Sequence, residues 1–183
     1  MKRTSLTLSS IILALGVISC GNGGTSSKAS SPASEDDLDK TYASDLIKPG
    51  KQAPDFSLEG LDGKTYSLED FKGKTVVMDF WATWCPDCRK EIDYLVSLHK
   101  KFPDVVFVGI SFDTEKDTLT SFVAENGMDW VQLSEWKKWK ETEISAAYNI
   151  KWIPTKYVIS PKGKVLLSTV MTEKVEKYLS SLK

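Results

Sequence analysis

The alternation of apolar and polar positions along the chain predicts two buried strands, each followed by an amphipathic helix. Runs of β-branched and aromatic residues at 75–81 and 105–111 have the composition of strands covered on both faces. Apolar residues then recur at helical spacing from 86 to about 101 and from 114 to about 126. Strand, helix, strand and helix in this order predict a parallel βαβ unit.

The C-terminal part of the chain predicts a second, antiparallel unit. Residues 155–159 and 164–168 flank the turn at 160–163, which predicts a β-hairpin, and an amphipathic helix follows from 172 to about 182. We therefore expect an α/β protein with a central mixed sheet, built from a βαβ half and a ββα half and flanked by helices.

Two further segments lie outside these halves. Residues 53–58 and 64–68 predict two short strands around an Asp-Gly turn, which form an N-terminal β-hairpin extension. The connector 130–152 is rich in tryptophan. We expect these rings to pack against the core or along a helix face, with a substrate groove as the alternative.

The first residues have the pattern of a secretion signal. Two basic residues precede the apolar stretch 11–18, which is too short to be a stable membrane span. Its end, Val17-Ile18-Ser19-Cys20, resembles the bacterial lipobox. That resemblance implies a signal peptide over residues 1–19 and a lipid on Cys20 as the membrane anchor. An ordinary signal peptide with an incidental cysteine is the alternative.

Residues 20–47 predict a flexible tether between that anchor and the folded domain. Residues 21–34 are rich in glycine and serine and lack an apolar period, so they cannot bury enough surface to become ordered. The acidic stretch 35–39 predicts a continuation of this solvated spacer. We therefore expect the folded domain to span residues 48–183.

Composition and charge fit one globular domain with such appendages. The chain is 41% hydrophobic and 27% charged. Its formal net charge is -1, and removal of the two basic leader residues from 24 Lys+Arg leaves 22 against 25 Asp+Glu, or about -3. This balance excludes the basic stripe of a nucleic-acid binder, and we expect a monomer without a nucleic-acid partner.

Three chemistries use the spacing of Cys85 and Cys88, and the neighbouring residues distinguish them. A structural zinc site needs four ligands, whereas the domain offers only His99, in mid-helix, as a further histidine or cysteine. Attachment of c-type haem needs a histidine directly after the second cysteine, where Arg89 stands. Disulfide exchange remains, with the cysteine pair as redox centre and no other cofactor.

The position of the pair at the start of a helix gives the two cysteines different roles. Cys85 precedes Pro86, which suits a first helical position, and the positive end of the helix dipole lowers the pKa of a thiol there. Cys88 lies one turn inside the helix and is more shielded. We expect Cys85 to attack a client disulfide and Cys88 to resolve the mixed disulfide.

The run 77–88, with its Trp-Cys-Pro-Asp-Cys segment, resembles the strand–Trp-Cys-x-x-Cys–helix signature of the thioredoxin superfamily. Segments 53–56 and 62–64 are similar to the openings of redoxin domains in its membrane-bound TlpA/ResA branch, and the resemblance covers 49–182. It implies a thioredoxin-like fold and a protein-disulfide reductase of the bacterial cell envelope. The gap dipeptide Pro86-Asp87 departs from the family's usual Gly-Pro or x-Pro, which leaves the redox potential open.

The resemblance implies supporting roles for two carboxylates. Asp79 matches the buried carboxylate that relays a proton to and from the resolving thiol, and a strand-end carboxylate satisfied by hydrogen bonds is the alternative. Glu91, three residues after Cys88, matches a glutamate that tunes the thiol pKa in the TlpA/ResA branch. A solvated helix charge is the alternative for Glu91.

The resemblance also implies where a client binds. Pro154, preceded by Ile153, matches the cis-proline that packs opposite the dithiol and presents backbone groups to the substrate chain. Trp84, Pro86 and Asp87 surround the cysteines and complete the expected substrate-binding surface. The implied partners are exported proteins, apocytochrome c among them, and a membrane thiol transporter that supplies electrons.

Two rival functions remain open. Peroxiredoxins share the opening and the fold, but they carry proline and threonine seven and three residues before the peroxidatic cysteine. Relative to Cys85 these positions hold Met78 and Ala82, and relative to Cys88 they hold Trp81 and Cys85. The second rival is a lipoprotein that uses a thioredoxin-like domain only to bind partners.

Overall fold

A mixed seven-stranded sheet forms the centre of the computed structural model, which describes residues 35–182. The strands are, in chain order, β1 Leu58–Gly60, β2 Thr65–Tyr66, β3 Val76–Trp81, β4 Val106–Ser111, β5 Val131–Ser134, β6 Thr155–Ile159 and β7 Val165–Thr169. The α-helices are α1 Glu35–Tyr42, α2 Pro86–Lys101, α3 Lys116–Glu125, α4 Glu143–Ala147 and α5 Thr172–Ser180. Short 3-10 turns lie at Leu68–Phe71 and Trp139–Glu141.

The strand order across the sheet is β2-β1-β5-β4-β3-β6-β7. The strands β3, β4 and β5 are parallel to one another, and the other neighbouring pairs are antiparallel. The predicted βαβ unit consists of β3, α2 and β4, the ββα unit of β6, β7 and α5, and the N-terminal hairpin of β1 and β2. The prediction of a thioredoxin-like α/β fold is therefore confirmed.

The connector between the two halves contains a strand and a helix, β5 and α4, that the sequence pattern does not predict. The β5 segment is only four residues long and half of its side chains are polar, so it lacks an apolar run. Gln132 and Ser134 are nevertheless buried. Gln132 Oε1 accepts a hydrogen bond from Trp81 Nε1 at 3.1 Å, which satisfies one end of the amide, whereas Nε2 has no partner among the described residues.

The sheet separates two apolar layers. Every residue of β3 is buried, so alternate side chains of this strand enter each layer. On one face Phe80 packs against Tyr148 and Tyr157. On the other face Trp81 contacts Phe122 of α3, and α2 and α5 pack against each other in this second layer.

Folded structure includes α1, which lies before residue 48, where the sequence predicts that the domain begins. The Asp39 side chain is only 20% exposed, and its carboxylate accepts hydrogen bonds from the Thr169 hydroxyl at 2.8 Å and from the Val170 amide at 2.9 Å. It also pairs with Lys174 Nζ at 2.8 Å. The predicted tether is therefore wrong for residues 35–47, because the partners of this polar segment lie far along the chain, where composition does not reveal them.

The predicted signal peptide and Cys20 lie outside the described residues. Within residues 35–182, no helix has the length and apolar character that crossing a bilayer requires.

Replacing Asp39 by alanine is expected to lower the free energy of unfolding by about 1–3 kcal/mol, because a buried backbone amide and a hydroxyl lose their acceptor. Urea unfolding measures this change. Asp37→Ala is the matched control, since Asp37 is exposed and pairs with Lys40 on the same helix. Equal losses in the two variants would contradict the role of Asp39 in docking α1.

Candidate active site

The two cysteines lie at the N-terminus of α2 and are joined by a disulfide, with their Cα atoms 5.3 Å apart. Cys85 is the N-cap residue in an extended conformation, and its Sγ accepts a hydrogen bond from the Cys88 amide at 3.1 Å. Pro86 occupies the first helical position, where a missing N–H group does no harm. The Cys85 sulfur thus lies at the positive end of the helix dipole, which favours its thiolate in the reduced protein.

The surface next to the dithiol is aromatic on one side. The Trp84 side chain is 54% exposed, whereas both cysteines are buried. Its ring centroid lies 6.4 Å from that of Trp139, which stacks on the buried Phe112 ring at 5.5 Å. An exposed indole surface therefore lies beside Cys85.

The two residues between the cysteines are exposed. Asp87 Oδ1 pairs with Lys90 Nζ, one turn further along α2, at 2.7 Å. Because this pair is open to solvent, both water and Lys90 weaken the effect of the Asp87 charge on the neighbouring thiolate.

The loop before β6 faces the dithiol. The peptide bond between Ile153 and Pro154 is cis, and the Ile153 carbonyl oxygen lies 3.8 Å from Cys85 Sγ. The preceding residue, Trp152, stacks on Tyr42 at the end of α1, with ring centroids 4.0 Å apart. The structure thus brings the Ile153 carbonyl, next to the cis-proline, against Cys85, and Tyr42 of the N-terminal segment packs on the same loop.

The turn before the dithiol is held by Asp113, a residue to which the sequence motifs do not point. Its buried carboxylate accepts hydrogen bonds from the Thr83 amide at 2.9 Å and from the Thr83 hydroxyl at 2.5 Å. The Ser111 hydroxyl donates a third hydrogen bond at 2.6 Å. The sequence offers one clue to Asp113, which is an acidic residue shortly after the buried strand β4. The parallel strand β3 ends at the same end of the sheet.

Asp79 is buried in the middle of β3. Its Oδ1 has no hydrogen-bond donor among the described residues and lies 4.0 Å from Lys156 Nζ. Burial raises the pKa of Asp79 to about 7, opposed by the positive charge of Lys156 and helped by the negative charge of Glu91. A carboxyl group with this pKa can hold or release a proton at neutral pH.

Lys156 of β6 is fully buried. Its Nζ forms an ion pair with Glu91 Oε2, which also accepts a hydrogen bond from the Thr172 hydroxyl at 2.9 Å. The structure therefore places Glu91, whose side chain is 22% exposed, in a cluster with Lys156 and Asp79. The sequence signal for Lys156 was a lysine inside an apolar strand directly after the Pro154 loop, and strand pattern alone gives it no function.

The AhpC/TSA family profile matches residues 49–168 of the chain. Over 142 residues the chain is 32% identical to the thiol-disulfide oxidoreductase ResA of Bacillus subtilis, a match that covers 75% of this chain and 77% of ResA. The chain belongs to the AhpC/TSA family. Within it, the disulfide-bonded Cys85 and Cys88 and the similarity to ResA identify a ResA-type thiol–disulfide oxidoreductase.

Two further comparisons agree with the ResA-type assignment. The thioredoxin-like protein YneN of Bacillus subtilis is 36% identical over 123 residues, which cover 65% of this chain and 69% of YneN. A solved thiol-disulfide oxidoreductase from Bacteroides fragilis matches with a TM-score of 0.67 at 27% identity, covering 73% of this chain and 100% of that one. The predicted family, fold and class of activity are confirmed.

Asp79→Asn is expected to stabilise the oxidised ResA-type domain at alkaline pH. Between 3.8, the ordinary pKa of the carboxyl group, and about 7, its pKa in the folded protein, the folded state holds a proton that the unfolded chain has released. The free energy of unfolding therefore falls as pH rises through this window, by roughly 4 kcal/mol at most. Asparagine removes this loss, and urea unfolding at pH about 4 and about 8 measures it.

The matched control is Asp93→Asn, which neutralises an exposed carboxylate of α2 and should leave the pH dependence of stability unchanged. A stabilisation by Asp79→Asn of the same size at both pH values would show that burial of the Asp79 charge is not its cause.

Proposed function

We propose that this ResA-type protein reduces disulfide bonds of exported proteins at the bacterial cell envelope. The observation that carries the proposal is the environment of Cys85, whose sulfur lies at the N-terminus of α2 and faces the Ile153 carbonyl beside the exposed Trp84. An extended client chain can lie along this loop while Cys88 stays shielded. The proposed clients include the cysteines of apocytochrome c.

The proposed reaction passes through a mixed disulfide. The Cys85 thiolate attacks one sulfur of the client disulfide, a new S–S bond forms, and the first client thiolate leaves and takes up a proton. Cys88 gives its proton to the Asp79 carboxylate and attacks the Cys85 sulfur, which releases the second client thiolate. The client has gained two electrons, and the protein has been oxidised to the Cys85–Cys88 disulfide. A membrane thiol donor then returns two electrons and restores the dithiol.

Cys88→Ala is expected to accumulate mixed disulfides between Cys85 and its clients, because no resolving thiol remains. The variant is expressed in a bacterium that exports cytochrome c, thiols are quenched with acid, and adducts are identified by non-reducing electrophoresis and mass spectrometry. The double variant Cys85→Ala, Cys88→Ala is the control and should carry no adducts. If Cys88→Ala carries none either, the mixed-disulfide mechanism is wrong.

Enzyme assays of the wild-type protein distinguish the rival functions. Reduction of insulin disulfides with a dithiol donor supports the proposal. Faster consumption of hydroperoxide than in Cys85→Ala, without insulin reduction, would instead indicate a thiol peroxidase. Inactivity in both assays would favour a domain that only binds partners.

We further infer that a lipid on Cys20 holds the protein at the membrane. The short apolar stretch 11–18 and the lipobox-like end of the leader support this inference. Because α1 is part of the folded domain, the proposed tether is shorter and spans residues 20–34. A shorter tether keeps the active site closer to the membrane than one that ends at residue 47.

Cys20→Ser is expected to move the protein from the membrane fraction to the soluble fraction, since the anchor would be lost. Cell fractionation and immunoblotting measure the distribution. Ser19→Ala is the control, because it keeps a small residue before the cysteine and should remain in the membrane fraction. Retention of both variants at the membrane would reject lipidation of Cys20 as the anchor.

A further inference from the structure

The buried cluster around Lys156 contains two carboxylates and one ammonium group. In the sheet register Lys156 lies directly opposite Asp79, so the two side chains point to the same face. From α2, which covers this face, Glu91 reaches Lys156 Nζ. At the same register the outer neighbours are Gly109 on β4 and Thr169 on β7, so the adjacent strands add no ionisable side chain there.

Other charges around the cluster have their own partners. On the side of β7, the Asp39 carboxylate pairs with Lys174. On α5, Glu176 pairs with Lys101. In the described part of the chain, the cluster itself therefore supplies the charges that act on Asp79, in agreement with the two charged groups that shift its pKa.

The hydrogen bonds of the cluster determine which of its two carboxyl groups, Glu91 or Asp79, binds a proton. One ammonium and two carboxylates carry a net charge of -1 inside the protein, and one bound proton removes it. Glu91 Oε2 is stabilised as an anion by the Lys156 ammonium and the Thr172 hydroxyl. Asp79 Oδ1 lies 4.0 Å from that ammonium and has no donor among the described residues. Asp79 is therefore the group of the cluster that takes up and releases this proton.

We propose that Lys156 is a positioning residue for proton transfer: it holds Glu91 as an anion, which leaves Asp79 as the carboxyl group of the cluster that exchanges a proton with Cys88, and its positive charge lets Asp79 release that proton at neutral pH. Cys88 precedes Glu91 by one turn on the same face of α2. Because Lys156 is fully buried, it cannot touch a client and acts through Asp79. The proton exchange between Asp79 and Cys88 in this inference rests on the proposed function.

The ammonium also affects how readily Asp79 releases its proton. Its positive charge stabilises the ionised Asp79 carboxylate, the form that accepts the proton of Cys88 during resolution. Without Lys156, the negative charge of Glu91 would act on the buried Asp79 carboxyl group with no positive charge beside it. Asp79 would then stay protonated at neutral pH, and resolution would slow.

The test follows the Asp79 carboxyl group in the oxidised protein, where the disulfide-bonded cysteines do not titrate. Carbon-13 NMR of protein labelled at the aspartate carboxyl carbon gives the titration midpoint. Lys156→Met keeps the length of the side chain without its charge and is expected to raise the Asp79 midpoint by about one pH unit or more. Glu91→Gln is expected to lower the midpoint, because it removes a neighbouring negative charge and frees Lys156 to approach Asp79.

Lys101→Met is the matched control, since Lys101 forms an ion pair between α2 and α5 outside the cluster. It should leave the Asp79 midpoint unchanged. If Lys156→Met does not fold, Glu91→Gln alone decides: a lowered midpoint supports the inference, and an unchanged or raised midpoint overturns it. An unchanged midpoint in a folded Lys156→Met protein also overturns it.

A kinetic measurement separates positioning from a merely structural role. Single-turnover release of a peptide from its mixed disulfide with Cys85 should be about fivefold slower in Lys156→Met at pH about 7 and should recover as pH rises, because the ionised fraction of Asp79 recovers. A loss that is equal at every pH overturns the inference. A wild-type protein that reduces no client disulfide refutes the proposed function, whereas the Asp79 titration still decides the arrangement of the cluster.

Discussion

The ion pair between Lys156 and Glu91 is the interaction on which the active site depends. A fully buried ammonium group is strongly unfavourable unless an anion stays beside it. Glu91 can remain there only if α2 packs with this face against β6. The same packing brings the N-terminus of α2, with both cysteines, against the Ile153 carbonyl. The position of the dithiol therefore depends on a charge pair one to two turns further along its helix.

This charge pair belongs to a row of polar or small residues that crosses the sheet. Five neighbouring strands, from β5 to β7, contribute one residue each at this register: Gln132, Gly109, Asp79, Lys156 and Thr169. Glycine is required at position 109, since a Cβ atom there would lie 1.9 Å from Gln132 Oε1, the acceptor of the Trp81 indole. Within this row Lys156 pairs with Asp79, whereas Gln132 bonds to Trp81 and Thr169 bonds to Asp39, so the partners of the row come from several elements.

The sequence predicts the dithiol better than the residues that support it. The helix α2 spans Pro86–Lys101, as its proline and apolar spacing predict, because both signals are local. Asp39 and Gln132 resemble solvent-facing residues in the sequence, since their partners come from distant parts of the chain. Lys156 is missed for the same reason: its burial depends on Glu91, which is 65 residues away along the chain. Polar groups that pair over a long sequence distance leave no local sequence pattern from which their burial could be predicted.

The contrast between exposed and buried charges indicates which charged groups affect the reactivity of the two cysteines most strongly. Asp87, in the unusual gap dipeptide, is exposed and paired with Lys90, so water screens its effect on the Cys85 thiolate. The cluster around Lys156 acts in surroundings of lower dielectric constant, where the same separation between charges gives about four times the interaction energy. A change at Asp87 therefore alters mainly how readily Cys85 attacks, and only weakly. A change in the cluster alters how readily the resolving thiol loses its proton, and so how fast a bound client is released.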